Sequence, residues 1–336
     1  MTRASVNGVS YCVPANYVDN DLLADQFPDW NIAKTERSTG VLQRHRAAAD
    51  EYASDLAVAS GEKFFREKAI DPRDIDFLIL CTQTPDFYLP TTAVLVHHRL
   101  GLAKSAGAVD VTLGCSGYVY SLGLAKSLIE SGQAQNVLLI TSETLSKLTN
   151  PGDKSTIPIF GDAAATTLIT GRGDGEGMVG FVYGTDGAGA ENLLVPHGGL
   201  RSGVAFSPKS APQARGLEEG RYDLYMDGPE IFNFTISTVP SAVESVLAKS
   251  GLRLDEIDAF VFHQANKFML EHLRKKLGVP AEKFVLALEN VGNTSSSSIP
   301  IALADAETNG QIMPGDKVLV LGFGVGYSWA GAVLHW

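Results

Sequence analysis

Residues 74–80 read DIDFLIL and residues 256–262 read EIDAFVF. In each, an acidic residue, Ile and Asp lead into an apolar run of the length and character of a strand buried on both faces. Two further pairs keep the same order: RLGL at 99–102 with KLGV at 276–279, and VLLI at 137–140 with VLVL at 318–321. All three pairs recur at a spacing of about 180 residues, which is the signature of an internal repeat. Helical patterns at 116–131 and 266–277 alternate with the apolar runs, so both halves read as strand–helix units. The expectation is a duplicated α/β unit, divided at 1–172 and 173–336, with the two halves sharing one core.

Residues 171–220 open with GRGDGEG and stay rich in Gly, Ser and Pro, so they read as an irregular surface stretch. Leu193, Leu194, Val195 and Phe206 are scattered through it, the composition of a functional loop more than of a linker. The whole chain of 336 residues is 45% hydrophobic and 19% charged, with a net charge of −11. That composition excludes a disordered chain, a fibrous repeat and a general nucleic-acid binder. Three cysteines, Cys12, Cys81 and Cys115, show no metal-ligand spacing, and their odd number favours a reducing compartment. No signal-peptide pattern opens the sequence and no apolar run approaches the roughly 20 residues of a bilayer span, so a cytoplasmic protein with no membrane partner is expected.

Four segments have residue types suited to chemistry. Cys115 stands between Gly114 and Ser116–Gly117, after an apolar strand near 108–113 and before an amphipathic helix. That is a nucleophile elbow with sulfur in place of oxygen, and the helix N-terminus is expected to lower the thiol pKa below its free value of about 8.5. A buried, inert cysteine is the competing reading, and it suits Cys12 and Cys81 better because they lack flanking glycines. His263, in FHQAN, ends the repeated strand at the place held by Cys81 in the first half, where open α/β sheets build sites; a helix cap centred on Asn266 explains the segment equally well. Asn293, in GNTSSSSIP, falls at nearly the repeat spacing from Cys115, and otherwise reads as a turn with a serine-rich cap. In GFGVG, Gly322, Gly324 and Gly326 permit close backbone approach to a developing oxyanion, or simply a hairpin.

Taken together, STGVLQRH (38–45), DVTLGCSGYVYSL (110–122), IPIFGDAAAT (157–166), MDGPE (226–230), HQAN (263–266), LENVGNTSSSSIP (288–300) and GFGVGYSWAGAVL (322–334) resemble the thiolase superfamily, most closely its β-ketoacyl-acyl-carrier-protein synthase III branch. The resemblance implies a duplicated five-layer αβαβα thiolase-like fold and a homodimer. It also implies that Cys115 carries the acyl group as a thioester. His263 and Asn293 would bind the thioester carbonyl of a malonyl unit and stabilise the enolate left by its decarboxylation; the acceptor class implied is a malonyl- or β-ketoacyl-carrier thioester. The backbone amides of Cys115 and Val325 would form the oxyanion hole. No cofactor is implied beyond acyl-coenzyme A or acyl-carrier-protein substrates, and no metal. Degradative thiolases carry a second cysteine in the last glycine loop, which is absent here. Elongating synthases have a second histidine where Asn293 stands, and plant-type polyketide synthases are longer.

This chain departs from the family pattern at several places. Val325 replaces the middle of three glycines, beside Gly324 at the substrate channel. Leu89 stands where a bulky residue closes the acyl tunnel across the dimer. Trp30 lies four residues early relative to Thr39–Gly40 and Lys154 replaces an arginine, so the pair that sandwiches coenzyme A adenine is not recovered from sequence. Lys267, Arg274, Lys275 and Lys276 on one helix are expected to dock an acidic carrier protein. The alternative function carried alongside is an acyltransferase that passes the Cys115-bound group to an oxygen or nitrogen acceptor without forming a carbon–carbon bond.

Overall fold

The computed structural model describes residues 2–172, 177–196, 198–200 and 223–336. Within it the repeated segments become equivalent strands of two sheets. The first sheet contains β1 (Arg3–Cys12), β2 (Phe77–Cys81), β3 (Gly107–Val111), β4 (Asn136–Glu143) and β5 (Ala163–Arg172), in the order β1-β5-β4-β2-β3. The second contains β6 (Met178–Thr185), β7 (Ala259–Phe262), β8 (Lys317–Gly324) and β9 (Ser328–His335), in the order β7-β8-β9-β6. Strand β2 pairs parallel with β4, and β7 pairs parallel with β8; the next two pairings in each sheet are antiparallel. DIDFLIL therefore corresponds to EIDAFVF, and VLLI to VLVL, in three dimensions as well as in sequence. The edge strand β3 has only a single bridge, Phe260 to Phe284, as its counterpart in the second half.

Strand alternation explains why these runs are apolar on both faces. In β2, Leu78 and Leu80 face α1 (Ala53–Lys68) and α2 (Thr92–Arg99), while Ile79 faces inward. In β7, Phe260 and Phe262 meet α4 (Gly228–Ser250) and α5 (Lys267–Leu277), while Val261 faces inward. Two central helices fill the space between the sheets, α3 (Gly117–Glu130) and α6 (Ser298–Thr308). The layers are thus α1/α2, first sheet, α3/α6, second sheet and α4/α5, a five-layer αβαβα sandwich. Helix α3 contains Gly117 and Gly123, each costing about 1 kcal/mol relative to Ala. Burial of Tyr118, Val119, Leu122 and Ile129 outweighs that cost at about 1.5–3 kcal/mol for each large apolar side chain.

Part of the stretch read as irregular is ordered differently. Met178–Thr185 is strand β6 at the edge of the second sheet. Its glycines obscured it in sequence, yet at Gly184 a Cβ would lie 2.0 Å from the Trp329 ring, so the strand can pair there only without a side chain. Leu193–Leu194 pairs with Tyr225–Met226 as a short ribbon, and Phe206 lies outside the described residues. Helix α4 is the one helix among the described residues long and apolar enough to cross a membrane by length and composition. Its Phe234, Val239, Val243 and Val246 pack on the second sheet.

Candidate active site

The carboxyl ends of β2, β7 and β8, the turn before α3 and the segment before α6 converge on one cavity of about 280 Å³. Cys115, His263, Asn293, Ser295, Gly324 and Val325 form its polar end, and Leu145, Phe160, Leu193, Leu224, Met226 and Ile231 line the remainder. The competing reading of each segment is met as well: Asn266 caps α5 by accepting from the Met269 amide, and the glycine loop does join two hairpin strands. Those local roles coexist with convergence on one site.

Cys115 is buried, and its Sγ lies 3.8 Å from the Ser295 hydroxyl. Gly324 is forced to be glycine by close approach, since a Cβ there would sit 2.8 Å from Cys115 Cβ and 2.9 Å from Sγ. The thiol differs from its expected state. Burial pushes its pKa up to about 11, and the carboxyl of Glu143 adds to that; the Ser295 hydroxyl and the backbone amides of Cys115 and Val325 act in the opposite direction. Helix α3 begins two residues later, at Gly117, and at this buried position desolvation outweighs its dipole. The resting thiol is protonated, and the backbone amides of Cys115 and Val325 favour its anion.

His263 is fixed at both backbone and ring. Its amide donates to the Leu321 carbonyl at 2.8 Å, its Nδ1 lies 2.7 Å from Ser298 Oγ, and its ring meets Phe323 edge-on at 5.6 Å. Burial lowers its pKa to about 3, against the smaller opposing effect of the Ser295 carbonyl, so the imidazole is neutral at physiological pH. Asn293 is held by its own backbone: its amide donates to Ile159 O at 2.8 Å and its carbonyl accepts from the Gly161 amide at 3.1 Å. Its Oδ1 accepts from the Ser295 amide at 2.9 Å, which assigns the Nδ2 donor to the other side, where its contact to Ala265 O is a long 3.5 Å. A neutral imidazole and an amide donor therefore share a cavity with a thiol.

The run of four serines, read in sequence as a cap, supports this arrangement residue by residue. Ser295 meets the thiol and Ser298 meets His263. Ser296 donates to Glu143 Oε1 at 2.7 Å, and Ser297 bonds Thr141 at 2.9 Å and the Ala163 carbonyl at 3.3 Å. The signal available was the burial itself, because four hydroxyls ahead of an apolar central helix each need a partner. Gln83 also lines the cavity, with its side chain against Gly114.

Other expected site residues are placed differently. Leu89 is 86% exposed and lies outside its own chain's cavity, beside exposed Phe87 and Tyr88. Trp30 and Lys154, which sequence spacing failed to pair, do meet: Lys154 Nζ is 5.6 Å from the Trp30 ring centroid, and Phe27 stacks on that ring at 3.9 Å. The chain between two short helices, Asn20–Gln26 and Ile32–Thr39, absorbs the sequence offset. Of the four basic residues on α5, Lys267 and Lys275 are free to face solvent. Arg274 is 18% exposed and held by Glu271 and the Val279 carbonyl, and Lys276 donates to Ile236 O of α4.

Comparison with known proteins agrees with this geometry. Residues 109–187 match the family described as 3-oxoacyl-[acyl-carrier-protein (ACP)] synthase III, and residues 247–336 match its C-terminal part. A β-ketoacyl-[acyl-carrier-protein] synthase III of Clostridium perfringens is 36% identical over 334 residues, covering 99% of each chain. A solved 3-oxoacyl-(acyl-carrier-protein) synthase III superposes with a TM-score of 0.93 at 45% identity, over 99% of this chain and 100% of the other. A 3-oxoacyl-(acyl-carrier protein) synthase from Burkholderia xenovorans gives 0.91 at 40% identity, over 99% and 93%. Repeat, layers, converging site and full-length similarity all lead to one conclusion: the chain belongs to the 3-oxoacyl-[acyl-carrier-protein] synthase III family.

Proposed function

We propose that the protein joins an acyl thioester to a malonyl-carrier thioester by decarboxylative condensation on Cys115. The observation that carries this reading is the convergence of a buried thiol, the Val325 glycine loop beside it and two neutral side-chain donors in one mainly apolar cavity. The names of the matched relatives favour condensation over acyl transfer to an oxygen or nitrogen acceptor.

In the first half-reaction Cys115 Sγ attacks the donor thioester carbonyl. The developing oxyanion lies between the amides of Cys115 and Val325, and the thiol proton leaves with the carrier thiol. In the second, the thioester carbonyl of the malonyl unit accepts hydrogen bonds from Asn293 Nδ2 and His263. The Gln264 amide donates to Ser298 Oγ at 3.3 Å; with Ser298 in turn donating its hydroxyl hydrogen to Nδ1, the tautomer this role requires has its ring hydrogen on Nε2, for the substrate. Carbon dioxide departs, the enolate carbon attacks the Cys115 thioester, and collapse expels the Cys115 thiolate, which takes a proton from solvent. No cofactor or metal is required by these steps.

Acyl carrier protein is the proposed partner, with Lys267 and Lys275 as the docking cations on an otherwise acidic chain. A cytoplasmic setting without membrane or nucleic-acid partners fits the composition. A homodimer is proposed through the free edge of β3 and the exposed Phe87–Tyr88–Leu89 run, which would direct Leu89 to the partner's acyl site. Sedimentation equilibrium should give twice the chain mass; a monomer at micromolar concentration would exclude this interface. The functional reading is tested by intact-protein mass after exposure to a panel of acyl-coenzyme A and acyl-carrier thioesters. One acyl adduct on the Cys115 peptide is expected, and its identity names the donor; no adduct with any donor argues against the enzyme reading.

A further inference from the structure

One ionisable group near the thiol has no part in the steps above. Glu143, the last residue of β4, is fully buried. Its carboxyl accepts from Ser296 Oγ at 2.7 Å, from the Gln83 amide at 3.1 Å and from Thr84 Oγ1 at 3.4 Å. Two of those donors belong to segments that line the catalytic cavity: Gln83 itself, and the serine run whose first member touches the Cys115 thiol. Among the described residues no cation forms an ion pair with it. We propose that Glu143 is a positioning residue for Cys115: it ties the serine run and the Gln83 loop together, and its charge state governs how readily the thiol ionises.

A neutral side chain would serve as a tether alone, so the carboxyl needs a separate explanation. A carboxylate buried without a cation is costly. Burial accordingly pushes its pKa up to about 8, and the charge of Asp162 adds to that, against the three hydrogen bonds. Asp162, ahead of β5, is itself answered by Ser146, by the Ala47 amide and by Arg46. The other titratable groups in reach are Cys81 on β2 and Cys115, and a charged Glu143 makes both thiols harder to ionise. The serine run contributes none, its link to His263 passing through Ser298. At neutral pH the carboxyl is therefore mostly protonated and the thiol faces no adjacent anion. As pH rises through about 8 the anion forms, and thiolate formation is opposed just where it would otherwise accelerate.

This inference rests on Cys115 being the nucleophile, so the test reads the thiol directly instead of turnover. The rate of iodoacetamide alkylation at Cys115, resolved by peptide mass, is followed in the full chain and in Glu143→Gln from about pH 6.5 to about pH 9.5. The ratio of variant to wild-type rate is expected to rise about threefold or more across that range, because only the wild type acquires the opposing charge. A constant ratio would mean that Glu143 is only a tether and would overturn the proposal. Ser296→Ala provides an independent measurement should Glu143→Gln fail to fold: it removes a bond that favours the carboxylate, so the break in the pH–rate profile should move to higher pH. An unmoved break overturns the proposal too. A Cys115 that resists alkylation in every folded protein would instead overturn the nucleophile assignment, and this inference with it.

Discussion

Cys115→Ala is expected to eliminate the acyl adduct and to lower condensation by at least about 10⁴-fold. The size of the effect follows from what the site contains. The backbone amides of Cys115 and Val325, proposed as the oxyanion hole, do not depend on the side chain, so they should survive the substitution. What is lost is the one thiol among the described residues of the cavity, and with it the division of one bimolecular condensation into two easier steps. Cys81 cannot substitute for it. Its thiol is buried against the Leu113 carbonyl and raised still further by desolvation. The variant should remain folded, because Ala fills part of the same space and leaves no charge behind. The check is adduct mass and product formation together; residual turnover within tenfold of wild type would remove Cys115 from the mechanism.

The second large effect separates the two half-reactions. His263→Ala and Asn293→Ala are each expected to slow condensation by about 10²–10³-fold while acylation of Cys115 changes by less than about threefold. The two donors act on an enolate that exists only in the second half-reaction, so single-turnover acylation should be nearly blind to them. The double variant should fall well short of the product of the single losses, because the two donors stabilise one oxygen. Protonation supplies a further check. Burial holds the His263 pKa near 3, so the imidazole stays neutral from about pH 5 upward and condensation should show no histidine limb on its acid side. An acid limb near pH 6.5 that disappears in His263→Ala would contradict the neutral-donor role.

The large-scale architecture was legible because it is written in periodicity. DIDFLIL and EIDAFVF announce doubly buried strands, and Ile79 and Val261 face the shared central layer as alternation requires. Cys115, His263 and Asn293 were legible because each stands at the end of a core element, where glycine and polar residues interrupt an apolar run. Features that depend on long-range packing were not. β6 was hidden by Gly184, whose reason is the Trp329 ring from the neighbouring strand. The four serines look like a cap until their partners, all distant in sequence, are known. The thiol's ionisation was misjudged because a helix terminus is visible in sequence and desolvation is not. Trp30 and Lys154 meet through a loop whose length no motif predicts. The basic character of α5 was readable, but the engagement of Arg274 and Lys276 with their own surroundings was not.

The central claim is that Cys115 passes its acyl group to carbon with loss of carbon dioxide. The most direct measurement offers carboxyl-labelled malonyl-carrier thioester to purified protein already acylated on Cys115, and counts released label and discharged acyl group in the same single turnover. The account predicts one carbon dioxide released for each acyl group discharged, with a β-ketoacyl thioester as product. Discharge of Cys115 with the label still held in the malonyl unit would contradict it, and would leave acyl transfer to a heteroatom as the activity of this site.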